Sequence, residues 1–162
     1  MPLILPTLQS ELIDIYNKGK IGNPFPAATG IKTGKAYFNY VSAGINAGGG
    51  AFTSMPGGSV LGGDLAEVLS KVPTASGNIT AANMATAFDT CLSTFLSVHQ
   101  TTIVTIKGGL HLELMELFSA PKGHASLYAT ALGRALHNFT LTAQVIGVVP
   151  DTPGIPFTGP IS

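Results

Sequence analysis

The clearest pattern of hydrophobic and polar positions lies between residues 79 and 106, at ITAANMATAFDTCLSTFLSVHQ followed by TTIVTI. At 100° per residue, the first part predicts a helix with one apolar side, which we expect to be core. That side carries Met84, Phe88, Cys91, Leu92 and Phe95. The other side is polar but uncharged, and carries Thr80, Asn83, Thr86, Thr90, Ser93, Thr94 and Ser97. Since solvent-facing helices usually carry Lys and Glu, we expect Thr86, Thr90 and Ser93 to lie against another protein.

Other segments with a helical period lie on both sides of this central helix. They cover residues 7–19, 35–45, 64–73, 110–118 and 124–139. Thr7 is the type of residue that caps a helix start, and Gly19 is typical of a helix end. Asp64 followed by Glu67 resembles a capping box at the start of a short helix. These features favour an all-helical core.

Two stretches between the helices are predicted to be loops. Residues 20–34 read as an extended loop, because Pro24 and Pro26 disfavour helix in themselves and in their predecessors. Residues 47–63, AGGGAFTSMPGGSVLGG, read as a flexible glycine-rich connection. Neither GxxxxGK[ST] nor GxGxxG occurs there, so a phosphate-binding loop is not indicated.

Strand character is confined to short segments. The β-branched run at 101–106 predicts a short strand before Gly108 and Gly109, and the run at 140–149 alternates enough to predict a second one. The fold class predicted from these patterns is therefore mainly α, as a single helical domain with one or two short β-segments.

The C-terminus differs from the rest of the chain in having Pro or Gly at nearly every other position. We therefore divide the chain into a helical packing domain at 1–149 and an extended arm at 150–162. The arm cannot build a core of its own, yet it carries Ile155, Phe157 and Ile161. The arm is either disordered or laid on an adjacent subunit, and in the second case these three residues form an interface.

Composition adds a second argument for assembly. Only 10% of the 162 residues are charged, against about 25% in average proteins, and the mean hydropathy is +0.38. A surface so poor in charge is poorly solvated unless part of it is covered by protein. Eight basic and eight acidic residues cancel, which argues against nucleic acid and an anionic membrane surface as partners. No run of residues is long and apolar enough to predict a membrane-spanning helix, and the N-terminus does not resemble a secretory signal.

Candidate chemistry is sparse. The acid–base or ligand set consists of His111, Glu113, Glu116, His124 and His137. His111 lies about 140–160° around its helix from both glutamates, so these side chains cannot converge on one ion without help from elsewhere. Cys91 with His99 could form a thiol dyad, but a core thiol is the better interpretation, since a reactive thiolate needs a positive, accessible site. Serine never stands in a GxSxG context.

The composition and several segments of the chain resemble those of a known class of proteins. Very low charge, Gly, Ala and Thr richness, no Trp, uncharged Ser/Thr helix faces and the ending IPFTGPIS resemble small virion structural proteins of tailed bacteriophages. The segments ELIDIYNKGKIGNPFPAATG and ATALGRALHNFTLTAQV are similar to such proteins as well. The resemblance implies an accessory component of a tail, baseplate or neck, made in the host cytoplasm and located in the virion. It carries over no functional residue.

The sequence therefore predicts a non-enzymatic structural subunit that binds copies of itself and other structural proteins, without a cofactor, metal or small molecule. Two alternatives from other classes remain. One is a small-molecule or glycan-binding module that uses residues 47–63. The other is a metal-assisted hydrolase built on His111, Glu113 and His124.

Overall fold

The computed structural model describes residues 3–20, 26–72, 76–120, 123–151 and 153–162. The helices in these ranges are α1 (Leu5–Lys20), α2 (Pro26–Ser42), α3 (Gly57–Ser70), α4 (Gly77–Ser93), α5 (Lys107–Ser119) and α6 (Ala125–Thr142). The strands are β1 (Phe52–Ser54), β2 (Leu96–Ser97), β3 (Gln100–Val104), β4 (Gln144–Val149) and β5 (Ile155–Pro160). Helix makes up 63% of the structure, which confirms the mainly α prediction.

The helices pack in chain order. Each helix contacts its predecessor and its successor, and α6 contacts α1, so the six helices close into a ring. The middle of the ring is filled by large side chains, to which every one of the six helices contributes. The Tyr37 ring of α2 meets the Phe88 ring of α4 edge to face, with centroids 4.9 Å apart, and its hydroxyl is 2.9 Å from Thr140 Oγ1 of α6. The apolar side predicted for α4 is therefore the centre of the core, since Met84, Phe88 and Leu92 are fully buried.

Helices α2 and α3 approach each other through glycines. A Cβ added to Gly30 would lie 2.4 Å from the Ala66 backbone nitrogen, and one added to Gly34 would lie 2.8 Å from Gly62 Cα. Any side chain at these positions would separate the two backbones. The glycines at 58 and 62 therefore serve helix packing, although they weaken the helix itself.

This packing corrects two loop predictions. Residues 26–34 were predicted as an extended loop, but α2 begins at Pro26, because proline is tolerated in the first turn of a helix; residues 21–25 lie outside the described ranges. Residues 47–63 were predicted as a flexible loop, but they contain β1 and the first half of α3. The Thr94 hydroxyl accepts a hydrogen bond of 2.9 Å from the Gly57 backbone N–H, which helps to fix the start of α3 well before Asp64.

The strands form two antiparallel sheets, β1-β2 and β3-β4-β5. In the larger sheet, Val145 of β4 lies opposite Ile103 of β3 and Gly159 of β5. Val145 and Gly159 are buried, so this face of the sheet packs on the helices. The predicted strands at 101–106 and 140–149 correspond to β3 and β4, whereas β5 was not predicted.

The division into a domain at 1–149 and a separate arm at 150–162 needs correction. Residues 155–160 pair with β4 over six positions, and Ser162 exchanges two backbone hydrogen bonds of 2.9 Å with Ile45. Ile161 is fully buried within the same chain. The C-terminal strand is therefore part of the domain's own sheet and core.

Candidate interaction surface

The uncharged side predicted for α4 faces outward only in part, because Thr80 is buried and Ser97 lies buried in β2. Thr86, Thr90 and Ser93 are exposed, and the hydroxyls of Thr86 and Ser93 donate to carbonyls of their own helix at 2.9 and 3.1 Å. These bonds are local, so both hydroxyl hydrogens are used within α4 itself. The positions are thus available to a protein partner.

The surroundings of this helix face are, however, charged. Thr86 and Thr90 line a groove of about 270 Å³ between α3 and α4, together with Asp64, Glu67 and Lys71 of α3. The residue pattern of α4 alone does not show the charges that its neighbour contributes. The face is a polar groove with a charged rim, which weakens the case for it as a buried interface.

The three apolar residues predicted to form an arm interface have different environments. Phe157 lies between two glycines, since Cβ atoms on Gly48 and Gly147 would be 2.7 and 2.6 Å from its ring. Ile161 is buried. Ile155 is 53% exposed and can still meet a partner. Of the three, Phe157 and Ile161 are used chiefly for packing within the chain.

The glycine-rich stretch at 47–63 is occupied by its own chain. Phe157 packs against Gly48, and the Asn46 side chain beside it donates to Ser97 Oγ at 2.9 Å and accepts from the Gly50 backbone N–H at 2.8 Å. Gln100 extends this network, because its Oε1 accepts from the Ser97 hydroxyl at 2.7 Å. These contacts indicate that the glycines pack within their own chain and do not line an open cleft for a glycan.

A different surface has the properties of an interface. Side chains alternate along a strand, so the residues between the core-facing positions of the larger sheet point away from the helices. We call this surface the outer sheet face. It consists of Thr102 and Val104 of β3, Gln144, Ile146 and Val148 of β4, and Pro156, Thr158 and Pro160 of β5.

The outer sheet face combines apolar exposure with a lack of charge. Val104 is 49% exposed and Val148 47%, with the partly buried Ile146 beside them. None of the eight residues is Asp, Glu, Lys or Arg. A monomer usually places charged side chains on the solvent face of a sheet, so this composition is typical of a covered surface.

The histidines and glutamates are held apart by structural contacts. His111 Nε2 lies 3.3 Å from Asn78 Oδ1, whereas Glu113 Oε1 accepts from the Asn138 amide at 3.2 Å. His124 precedes α6. Among the described residues, no three His, Cys, Asp or Glu side chains stand close enough together to hold a metal ion.

Two further groups have perturbed acidity for structural reasons. Burial raises the pKa of the Cys91 thiol to about 12, which makes a thiolate at neutral pH rare. The Tyr40 hydroxyl is hydrogen-bonded to His137 Nδ1, and desolvation lowers the pKa of His137. This bond links α2 to α6 beside an apolar groove of about 180 Å³ lined by Leu8, Ala36 and Tyr40.

No protein family, no curated protein and no solved structure matches this chain. Within the described ranges, no helix is both long and apolar enough to cross a membrane.

The outer sheet face was missed by the sequence analysis. The alternation in TTIVT and AQVIGVV was recognised, but it did not say which alternate residues face outward until the strand pairing was known.

Proposed function

We propose that this protein is a non-enzymatic structural subunit of a large assembly and acts through protein–protein packing. Its partners are copies of itself and other structural proteins of the same assembly. The finer proposal is a virion of a tailed bacteriophage, with this chain in the tail, baseplate or neck, after synthesis in the host cytoplasm. The finer proposal rests on the resemblance in composition and segment style.

The observation that carries the proposal is the outer sheet face. Fully burying a valine side chain contributes about 1.5–3 kcal/mol, and about half of Val104 and half of Val148 remain exposed. Covering both would therefore add roughly 1.5–3 kcal/mol per subunit, or one to two decades in an association constant. Because the face has no charge, covering it does not require the desolvation of an unpaired ion.

The rest of the surface supports the same proposal. Fourteen of the described Val, Leu and Ile side chains are exposed by more than a third, in a chain in which only 10% of residues are charged. Five of these, at Leu96, Val98, Val104, Val148 and Ile155, lie in the β-strands or directly beside them, and Ile106 lies between β3 and α5. The other eight lie in or near the helices, so apolar exposure is spread over the surface, as expected for a chain that is covered at several places in an assembly.

The alternatives have less support. The residues suggested for a hydrolase, His111 and Glu113, bond to Asn78 and Asn138 in neighbouring helices. Such bonds favour a helix-packing role over acid–base work. The glycines suggested for glycan binding are packed against Phe157 and the backbone of their own chain.

The test is sedimentation velocity of the purified protein and of Val104→Lys/Val148→Lys. The wild type should self-associate with rising concentration, and the variant should associate more weakly, because two lysines would have to be desolvated at the interface. Leu127→Lys is the matched control, since Leu127 is 55% exposed near the start of α6, at the end of that helix remote from β4. Equal association of the double variant, the control and the wild type would remove the outer sheet face from the proposal.

A further inference from the structure

The two free edges of the three-stranded sheet differ in how they are protected. An exposed strand edge can pair with another chain, and proteins that stay monomeric block it with proline, charge or a bulge. In this sheet the edges are β3 on one side and β5 on the other, with β4 between them. The two edges can therefore be compared directly.

The β5 edge is blocked by proline. Pro156 and Pro160 lie opposite Val148 and Gln144, with Thr158 between them. Proline is tolerated in a sheet where its missing N–H would face away from the neighbouring strand. Alternate residues of a strand turn their backbone nitrogens to the same side, and in β5 residues 156, 158 and 160 turn theirs outward. Of these three residues, Thr158 is the one that carries an N–H. An added strand would find two of three donors missing.

The β3 edge has neither proline nor charge, and its register irregularity lies between Gln100 and Thr102, so that Thr102, Ile103 and Val104 stay regularly paired with β4. Val148 N donates to His99 O at 3.0 Å, so the even-numbered residues of β4 turn their N–H groups toward β3. Their partners Thr102 and Val104 face them, and Ile103 therefore turns its N–H and C=O outward. In the described part of the chain, no backbone hydrogen bond joins that outward side of Ile103 to another element.

The β3 segment is also suited to pair with its own copy. Residues 100–104, QTTIV, contain no charge and no proline, and four of the five are β-branched. A two-fold pairing places the segment opposite itself, where any charge would meet the same charge or its near neighbour. Among the described residues, the strands that contact β3 are β4 and β2, and Ile103 also packs against the core through its side chain.

We propose that β3 pairs antiparallel with β3 of a second copy about a two-fold axis at Ile103, which joins two three-stranded sheets into one six-stranded sheet. This inference rests on the proposed assembly function and names its first contact. Ile103 of each copy supplies one N–H and one C=O to the other. The outer sheet faces of the two copies then form one continuous uncharged surface for further subunits.

The register follows from the symmetry. With Ile103 opposite Ile103, Thr102 of one copy lies opposite Val104 of the other, twice per dimer. These are non-hydrogen-bonded pairs, whose Cα atoms lie about 4.5 Å apart, so their side chains sense each other strongly. Both residues are on the exposed outer sheet face, so charges can be placed there without entering the core.

The test compares the dimer dissociation constants of wild type, Thr102→Lys/Val104→Lys and Thr102→Lys/Val104→Glu by sedimentation equilibrium. In the first variant each Lys faces a Lys of the other copy. Its dimer dissociation constant should therefore be about tenfold or more higher than that of wild type. In the second each Lys faces a Glu. It should dimerise roughly tenfold more tightly than the Lys/Lys variant at low salt and lose that advantage as salt is added. Thermal unfolding of each variant checks that the monomer is folded.

The outcomes separate this inference from the proposed function. Recovery of dimerisation by the Lys/Glu variant supports self-pairing in this register. Equal weakening of both variants overturns the β3 pairing but leaves association through the outer sheet face in place. A wild-type protein that stays monomeric at every concentration overturns both.

Discussion

The C-terminal segment at 155–161 provides a sharp test of the fold, because it contains two isoleucines with opposite environments. Ile161 is fully buried, and its Cγ2 would lie 2.8 Å from a Cβ placed on Gly44. Ile155 stands six residues earlier and is 53% exposed. Truncation of each to alanine therefore changes the same chemical group in two environments.

The expected magnitudes differ severalfold. Ile161→Ala removes buried carbon atoms and leaves a cavity beside Gly44, which costs about 2–5 kcal/mol of unfolding free energy. Ile155→Ala should change the free energy of unfolding by about 0.5 kcal/mol or less, as exposed substitutions usually do. For a domain of this size, the first corresponds to roughly 4–20 °C in Tm and the second to about 2 °C at most.

Urea unfolding followed by circular dichroism measures both variants against wild type. The slope of the transition should stay constant while the midpoint falls for Ile161→Ala. If both variants unfold at the wild-type midpoint, residue 161 is outside the core in solution, and the C-terminus is a free arm after all.

Three further predictions concern single positions. Gly34→Ala should destabilise the protein by about 1–3 kcal/mol, since its Cβ would lie 2.8 Å from Gly62 Cα. Gly63→Ala, in open space, should stabilise α3 by up to about 1 kcal/mol. Equal urea midpoints for the two variants would contradict the close helix crossing. Desolvation lowers the pKa of His137 in the folded chain below its ordinary 6.5, so the unfolded chain takes up the proton first and stability should fall as the pH drops below about 6.5. His137→Gln should show a smaller difference between the urea midpoints at neutral and mildly acidic pH, and an unchanged difference would exclude this group as the cause. Cys91 should react with a thiol reagent at neutral pH only when urea unfolds the chain, since burial raises its pKa to about 12; rapid labelling of the native protein would refute its core position.

Patterns along the chain were sufficient where packing follows one element's own period. The apolar side of α4 was predicted because Met84, Phe88 and Leu92 recur at helical spacing, and these residues are fully buried. The strands β3 and β4 were predicted from β-branched residues and alternation. In these elements the local pattern and the tertiary environment agree.

Elsewhere the deciding contact lies far away in sequence. The start of α3 at Gly57 depends on Thr94, and its Gly58 and Gly62 are favourable only because α2 lies against them. The frequent Pro and Gly of residues 150–162 led to the prediction of a separate arm, although an edge strand accepts proline where no donor is needed. The charges beside Thr86 come from α3 and, at Lys107, from α5, and they could not be inferred from α4 alone.

The central claim is that this chain works by packing against other subunits, and its size in solution tests that most directly. Light scattering across a dilution series of the purified 16.6 kDa chain should give a mass of at least two subunits that falls toward one on dilution. A mass of 16.6 kDa at every concentration up to the solubility limit would contradict the account, because the outer sheet face and the β3 edge would then both remain in water.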